Sequence, residues 1–146
     1  STVVELAKHP NITAIKEASG NISQCAEIAR LVPEDFSIYS GNDDMITPLL
    51  ALGGDGVISV LSNIAPRQTH EIVQKFFDGD IAGAISGQLK AKPMIDALFA
   101  EVNPIPVKAA LDIMGRSKMN FRLPLCDPEE STMVLLEREL KAYGIL

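Results

Sequence analysis

Residues Ile12–Asn21 read I-T-A-I-K-E-A-S-G-N, a short apolar run that carries one lysine, Lys16, just ahead of a Ser-Gly-Asn turn. Strand alternation puts Ile12, Ala14 and Lys16 on one face and Thr13, Ile15 and Glu17 on the other. Taken alone, a lysine at a strand end is more often a solvated cation. Its pKa is then near about 10.4, but desolvation disfavours the charged form and can lower the value by several units. A neutral amine so produced is a nucleophile that can attack a ketone or aldehyde and form a Schiff base.

Working outward, Thr2–Lys8 spaces Val3, Val4, Leu6 and Ala7 as a helix, and Pro10-Asn11 ends it. After the turn, Asn21 or Ser23 can cap a helix whose apolar positions Ile22, Ala26, Ala29 and Val32 recur three or four apart. Pro33-Glu34-Asp35 breaks it, and Phe36–Ser40 alternates as a second strand. Gly41 follows at the carboxyl end, where backbone can approach a ligand with no side chain between. Asn42 or Asp43 starts the next helix, which buries Met45, Ile46, Leu49, Leu50 and Leu52. Asp43 and Asp44 read as a cap and a first-turn acid favoured by the helix dipole, not as a cation site. Gly53-Gly54-Asp55-Gly56 follows a helix and precedes a strand, the reverse of a phosphate loop's order, so it reads as a helix stop and turn. Val57–Leu61 is a nearly all-apolar third strand, as a parallel strand covered on both faces would be.

Beyond it, Pro66 suits the first turn of a helix to Phe77, and Asp78-Gly79-Asp80 punctuates. A long helical pattern from Ile81 to Phe99 contains Pro93, which predicts a kink or the end of a first segment. Asn103-Pro104-Ile105-Pro106 predicts an extended stretch, and Val107–Met114 a helix. Arg116–Cys126 reads as an irregular loop. Asp127 is the expected cap of a last helix, with Pro128 first, Glu130 at the capping-box position, and Met133, Leu136 and Leu140 buried. Strand and helix alternating with short connections predicts parallel βα units.

The 146 residues are 47% apolar, the composition of a globular domain. A net charge of -6, from 13 basic and 19 acidic residues, offers no basic stripe for nucleic acid. No apolar run of the ~18 residues that a membrane span needs is present, and no secretory pattern opens the chain, so no membrane association is expected and the cytoplasm is the expected location. Cys25 and Cys126 lack zinc spacing and read as reduced thiols, and His9 and His70 have no partners at ligand spacing, so no metal site is expected.

I-K-E-A-S-G-N after H-P-N-I resembles the lysine strand of the dihydrodipicolinate synthase family. Ser40–Asp43, Gly53–Val60 and Asn103–Lys108 resemble further stretches of that family in the same order. The resemblance implies the C-terminal half of a (β/α)8 barrel, a fold that needs eight strands and roughly 250 residues. The three strands correspond to its sixth to eighth, with residues 1–79 as the partial barrel and 80–146 as an appended helical region. It further implies a class I aldolase-like lyase of lysine and diaminopimelate biosynthesis that condenses pyruvate with aspartate semialdehyde, with Lys16 as Schiff-base residue and no cofactor. Main chain at Gly41 and Ile58 would shape the substrate site. Another pyruvate-dependent lyase, such as an N-acetylneuraminate or 2-keto-3-deoxy sugar acid aldolase, and a non-catalytic half-barrel assembly unit remain alternatives. The family's threonine and tyrosine proton relay, its Gly-Thr-Thr-Gly-Glu type loop and its carboxylate-binding arginine have no counterpart here, and Tyr39 and Tyr143 do not replace them. A chain without them is expected to be inactive alone, and to associate with an N-terminal half or form a homo-oligomer; full-length members are commonly homotetramers.

Overall fold

A computed structural model of the protein describes residues 2–146. Strands β1 (Ala14–Glu17), β2 (Ser37–Ser40) and β3 (Gly56–Val57) form one parallel sheet in the order β1-β2-β3. Helix α1 (Thr2–Leu6) precedes it. Helix α2 (Ile22–Leu31) connects the first two strands, and a 3-10 turn (Asp43–Met45) running into α3 (Ile46–Ala51) connects the second pair. Such helical crossovers are what parallel neighbours require.

Local chemistry accounts for these boundaries. Asn21 caps α2, its side-chain oxygen accepting from the Gln24 amide at 3.1 Å. Gly54 passes so close to α3 and β2 that a Cβ there would lie 2.9 Å from the Leu49 carbonyl oxygen and 3.2 Å from that of Ile38. Asp55 then fastens the chain to β2: its amide donates to the Ile38 carbonyl at 2.8 Å, and its carboxylate accepts from the Ile38 amide at 2.9 Å. The third strand is shorter than the expected Val57–Leu61. β2 turns away at Ser40, whose hydroxyl donates to the Asn42 carbonyl at 2.8 Å. After Ile58, whose amide donates to the Ser40 carbonyl at 2.8 Å, the chain therefore has no ladder to follow and enters a 3-10 turn at Leu61–Asn63. Similarly, the helix expected from Asn42 or Asp43 opens as the 3-10 turn before becoming α-helical.

Cys25, Ile28, Ile38 and Leu49 form a buried core cluster, with Val3, Ile15, Ala29 and Val32 packed against it. Leu49, only 2% exposed, sits in this cluster beneath the β2–β3 edge. Leu49→Ala is expected to lower unfolding stability by about 2–5 kcal/mol. An unchanged denaturation midpoint would show that the cluster does not hold this sheet.

Four further helices are α4 (Pro66–Phe77), α5 (Ile81–Leu98), α6 (Ile105–Ile113) and α7 (Glu130–Tyr143). The residues divide into two compact units: those up to Ser59 with Glu71–Ile85, and Val60–His70 with Ser86–Leu146. In the second, α6 packs against α7 and against the Leu61–Asn63 turn. Leu61, Met94, Leu98, Leu136 and Leu140 are among its buried large side chains.

Here two sequence expectations are corrected, and one of the two readings of Pro93 is excluded. Pro93 does not end its helix; α5 continues through it. Pro93 and Leu89 are both on the exposed side, so the Leu89 carbonyl that loses its partner is left to water. Asn103–Pro106 is not extended: α6 begins at Ile105, and Pro106 occupies its first turn, where a missing amide costs nothing. α7 begins at Glu130 behind Glu129, not at Asp127. The Glu129 amide donates to the Glu101 carboxylate at 3.0 Å, which fixes the entry to α7 after Pro128. The loop expected at Arg116–Cys126 is irregular. Lys108 anchors it, donating to the Asn120 carbonyl with its ammonium 4.8 Å from the centre of the Phe121 ring.

Candidate active site

The two faces of the sheet differ. Ile15 and Glu17 of β1 and Ile38 and Ser40 of β2 turn towards the helices; Glu17, Ile38 and Ser40 are 6%, 4% and 1% exposed. Ala14 and Lys16 lie on the other face and are exposed, as is Ile58 at 49%. Parallel sheets are ordinarily covered on both faces, so this open face is the unusual feature of the unit.

Lys16 lies on β1, an edge strand of this sheet. In the parallel register it pairs with Tyr39, so the two side chains leave the sheet on the same side. Tyr39, set aside in the sequence reading, is thus beside the lysine, its ring carbons 3.6 Å from where a Gly56 Cβ would be. The lysine's alkyl chain runs over the carboxyl end of β2. A Cβ on Gly41 would lie 3.0 Å from Lys16 Cε, 2.5 Å from Ala18 Cβ and 3.1 Å from the Glu17 carbonyl oxygen. Glycine is therefore needed at residue 41 for close approach, and Lys16 and Gly41 are in van der Waals range. Ile58 lies one strand further along, its amide bonded to the Ser40 carbonyl. The amide of Gly41 donates to the Glu17 carbonyl at 2.6 Å. Both amides serve the ladder, so the main-chain group each can turn to a ligand is its carbonyl. The apolar desolvation expected for Lys16 is not provided within this chain, because its face neighbour Ala14 is itself exposed.

Behind the lysine stands a polar cluster that the sequence reading passed over. The Glu17 carboxylate accepts from the Ser19 amide at 3.2 Å to each oxygen, from Gln24 Nε2 at 3.0 Å and from Cys25 Sγ at 3.1 Å. Burial pushes the Glu17 carboxyl up, but the bonds from Ser19, Cys25 and Gln24 together outweigh it and hold the group below the ordinary carboxylate range. Glu17 thus stabilises the fold fully above that range, and the contribution is lost as pH falls through the lowered folded value. Cys25 is pushed up to about 11, by burial first and then by the Glu17 carboxylate it faces. At pH 8 a maleimide is expected to modify the exposed Cys126 and to leave the folded protein's Cys25 untouched. Equal labelling of both thiols would show that the cluster opens readily. Among the described residues, no three His, Cys, Asp or Glu side chains converge as metal ligands do, and no helix is long and apolar enough to cross a membrane.

The model of the dihydrodipicolinate synthetase family matches residues 1–143. The chain belongs to that family. It is 57% identical to the 4-hydroxy-tetrahydrodipicolinate synthase of Caldicellulosiruptor bescii over 144 residues, 99% of this chain and 48% of that protein. The dihydrodipicolinate synthase of Thermotoga maritima superposes with a TM-score of 0.97 at 43% identity, covering 99% of this chain and 50% of that one. The Acinetobacter baumannii dihydrodipicolinate synthase, a chloride-inhibited form complexed with pyruvate, superposes with a TM-score of 0.94 at 37% identity, over 99% of this chain and 50% of its own. The chain spans about half the length of the family members it matches. Its fold is accordingly half of a (β/α)8 barrel, three parallel strands with their helices followed by further helices. In such barrels the carboxyl ends of the strands carry the active site, and Lys16, Gly41 and Ile58 lie at or just beyond those ends.

Proposed function

We propose that this chain is the C-terminal half of a lyase that joins pyruvate to aspartate semialdehyde through a Schiff base on Lys16. Residues 1–79 would form its barrel portion and 80–146 its helical appendage. The observation that carries the reading is the lysine on the open sheet face, laid across Gly41, in a chain of this family. An uncovered parallel sheet that exposes a lysine on one edge strand and an apolar Ile58 beyond the other is what remains when the other strands of a barrel are elsewhere.

In the closed barrel the remaining strands would cover this face and desolvate Lys16. The neutral amine attacks the keto carbon of pyruvate, forming a carbon–nitrogen bond while the carbonyl oxygen departs as water. The resulting iminium draws electrons from the methyl group, which loses a proton to give an enamine. The enamine carbon bonds to the aldehyde carbon of the semialdehyde, whose oxygen takes up a proton; the semialdehyde's own amino group then attacks the regenerated iminium carbon and displaces Lys16, restoring the amine. The carbonyls of Gly41 and Ile58 border this space and orient the bound keto acid. The Acinetobacter relative's complex with pyruvate supports the choice of keto acid. The same reading places the protein in the cytoplasm, as a homo-oligomer.

Proton transfers by positioned side chains typically contribute about 10²- to 10⁴-fold, and this chain has no counterpart of the family's relay. The chain alone is therefore expected to show no condensation of pyruvate with aspartate semialdehyde, and to gain it when refolded with the N-terminal half of a family member. Turnover by the isolated chain, or no turnover by a properly assembled pair, would overturn the proposal.

A further inference from the structure

Glu17 directly follows Lys16, so its side chain projects to the covered side of β1 while the lysine projects to the open side. A carboxylate at 6% exposure persists beneath a sheet only where donors replace its water. Among the described residues its donors lie in the loop and first helical turn that come next: the Ser19 amide, Gln24 Nε2 and Cys25 Sγ. The carboxylate thereby ties the turn at Ser19 to the first turn of α2. Its own carbonyl binds the Gly41 amide at 2.6 Å. Ala18 Cβ and Lys16 Cε share the notch that Gly41 leaves empty, 2.5 and 3.0 Å from the place of its missing Cβ. The loop held by Glu17 is therefore one wall of the slot along which the lysine leaves the sheet.

We propose that Glu17 is a positioning residue for Lys16, fixing the direction in which the amine points and hence how often it meets the keto carbon of pyruvate in line for attack. The proposal rests on the Schiff-base reading above. Glu17 itself touches no substrate and passes no proton. A one-ångström error in such a slot costs on the order of 10²-fold in rate, so the bonds that clamp the wall govern the rate from the far side of the sheet.

The test is a time course of borohydride trapping in the full-length protein, where hydride adds to the iminium carbon and leaves pyruvate bound to nitrogen as a secondary amine. The amplitude of the reaction reports the fraction of folded protein, and the rate at saturating pyruvate reports attack by Lys16. Glu17→Gln puts an amide NH₂ among groups that are themselves donors, and is expected to slow trapping about 10- to 100-fold with undiminished amplitude. The pyruvate concentration giving half-maximal rate should change less than about twofold, since the residue makes no contact with the keto acid. Gln24→Ala, at an exposed helical position that tolerates alanine, removes one donor and should slow trapping by about 2- to 5-fold; it decides the matter if Glu17→Gln does not fold. Loss of amplitude at an unchanged rate, or rates within experimental error of the parent for the folded variants, would overturn the positioning role. Absence of any adduct on Lys16 in the parent protein would instead sink the Schiff-base reading itself.

Discussion

Replacing Lys16 by alanine in the full-length protein is expected to abolish pyruvate trapping and to lower condensation by about 10⁴-fold or more, while leaving the fold intact. The two halves of that expectation come from different observations. Activity is lost because the amine is the atom that bonds to the keto acid, and no other lysine lies on β1, β2 or β3. Stability is kept because, among the described residues, Lys16 is in none of the ion pairs, so its loss strands no partner charge. In the closed barrel the methyl group of alanine needs neither solvation nor a partner, so the substitution removes a buried polar group and adds none. Measuring condensation rate and thermal unfolding on the same preparation checks both. A variant that retains a tenth of the parent's rate would remove Lys16 from the chemistry.

The second large effect is expected at Gly41. A methyl group there would meet Ala18 Cβ at 2.5 Å and Lys16 Cε at 3.0 Å, well inside ordinary contact distance. Ala18 cannot yield cheaply: it belongs to the loop held by Glu17, and the Gly41 amide is itself bonded to the Glu17 carbonyl. Gly41→Ala is expected to cost about 1–3 kcal/mol of stability through overpacking. The lysine is the mobile partner, so it swings away, and trapping should slow by roughly 10²-fold. Stability and trapping rate both equal to the parent's would show that the slot is wider than its walls indicate.

Much of this arrangement was legible in the linear chain because it depends on short-range patterns. The alternation of Ile12–Glu17 and Phe36–Ser40 marks two strands, and Asn21 caps the helix between them as its residue type requires. The resemblance of Lys16, Gly41 and Ile58 to family positions put them on successive strands, and the sheet order β1-β2-β3 sets them side by side. What was not legible depends on partners distant in sequence. The length of β3 is decided by where β2 turns off at Ser40, not by the apolar run Val57–Leu61 itself. The proline at 93 reads as a kink or a break, yet whether a lost hydrogen bond matters depends on whether the freed carbonyl faces water. The entry to α7 is fixed by Glu101, 28 residues before the amide it accepts from. Glu17 carried a faint signal: a carboxylate in a strand, followed seven and eight residues later by Gln24 and Cys25 in the first turn of a helix. Tyr39 was set aside because alternation within one strand says only that it opposes Ile38; the register with β1 says that it accompanies Lys16.

The most direct test of the Schiff-base assignment is peptide mapping by mass spectrometry of the full-length protein after reaction with pyruvate and borohydride. A single reduced pyruvate adduct on Lys16 is the predicted result. An adduct on another lysine, with Lys16 unmodified, would contradict it.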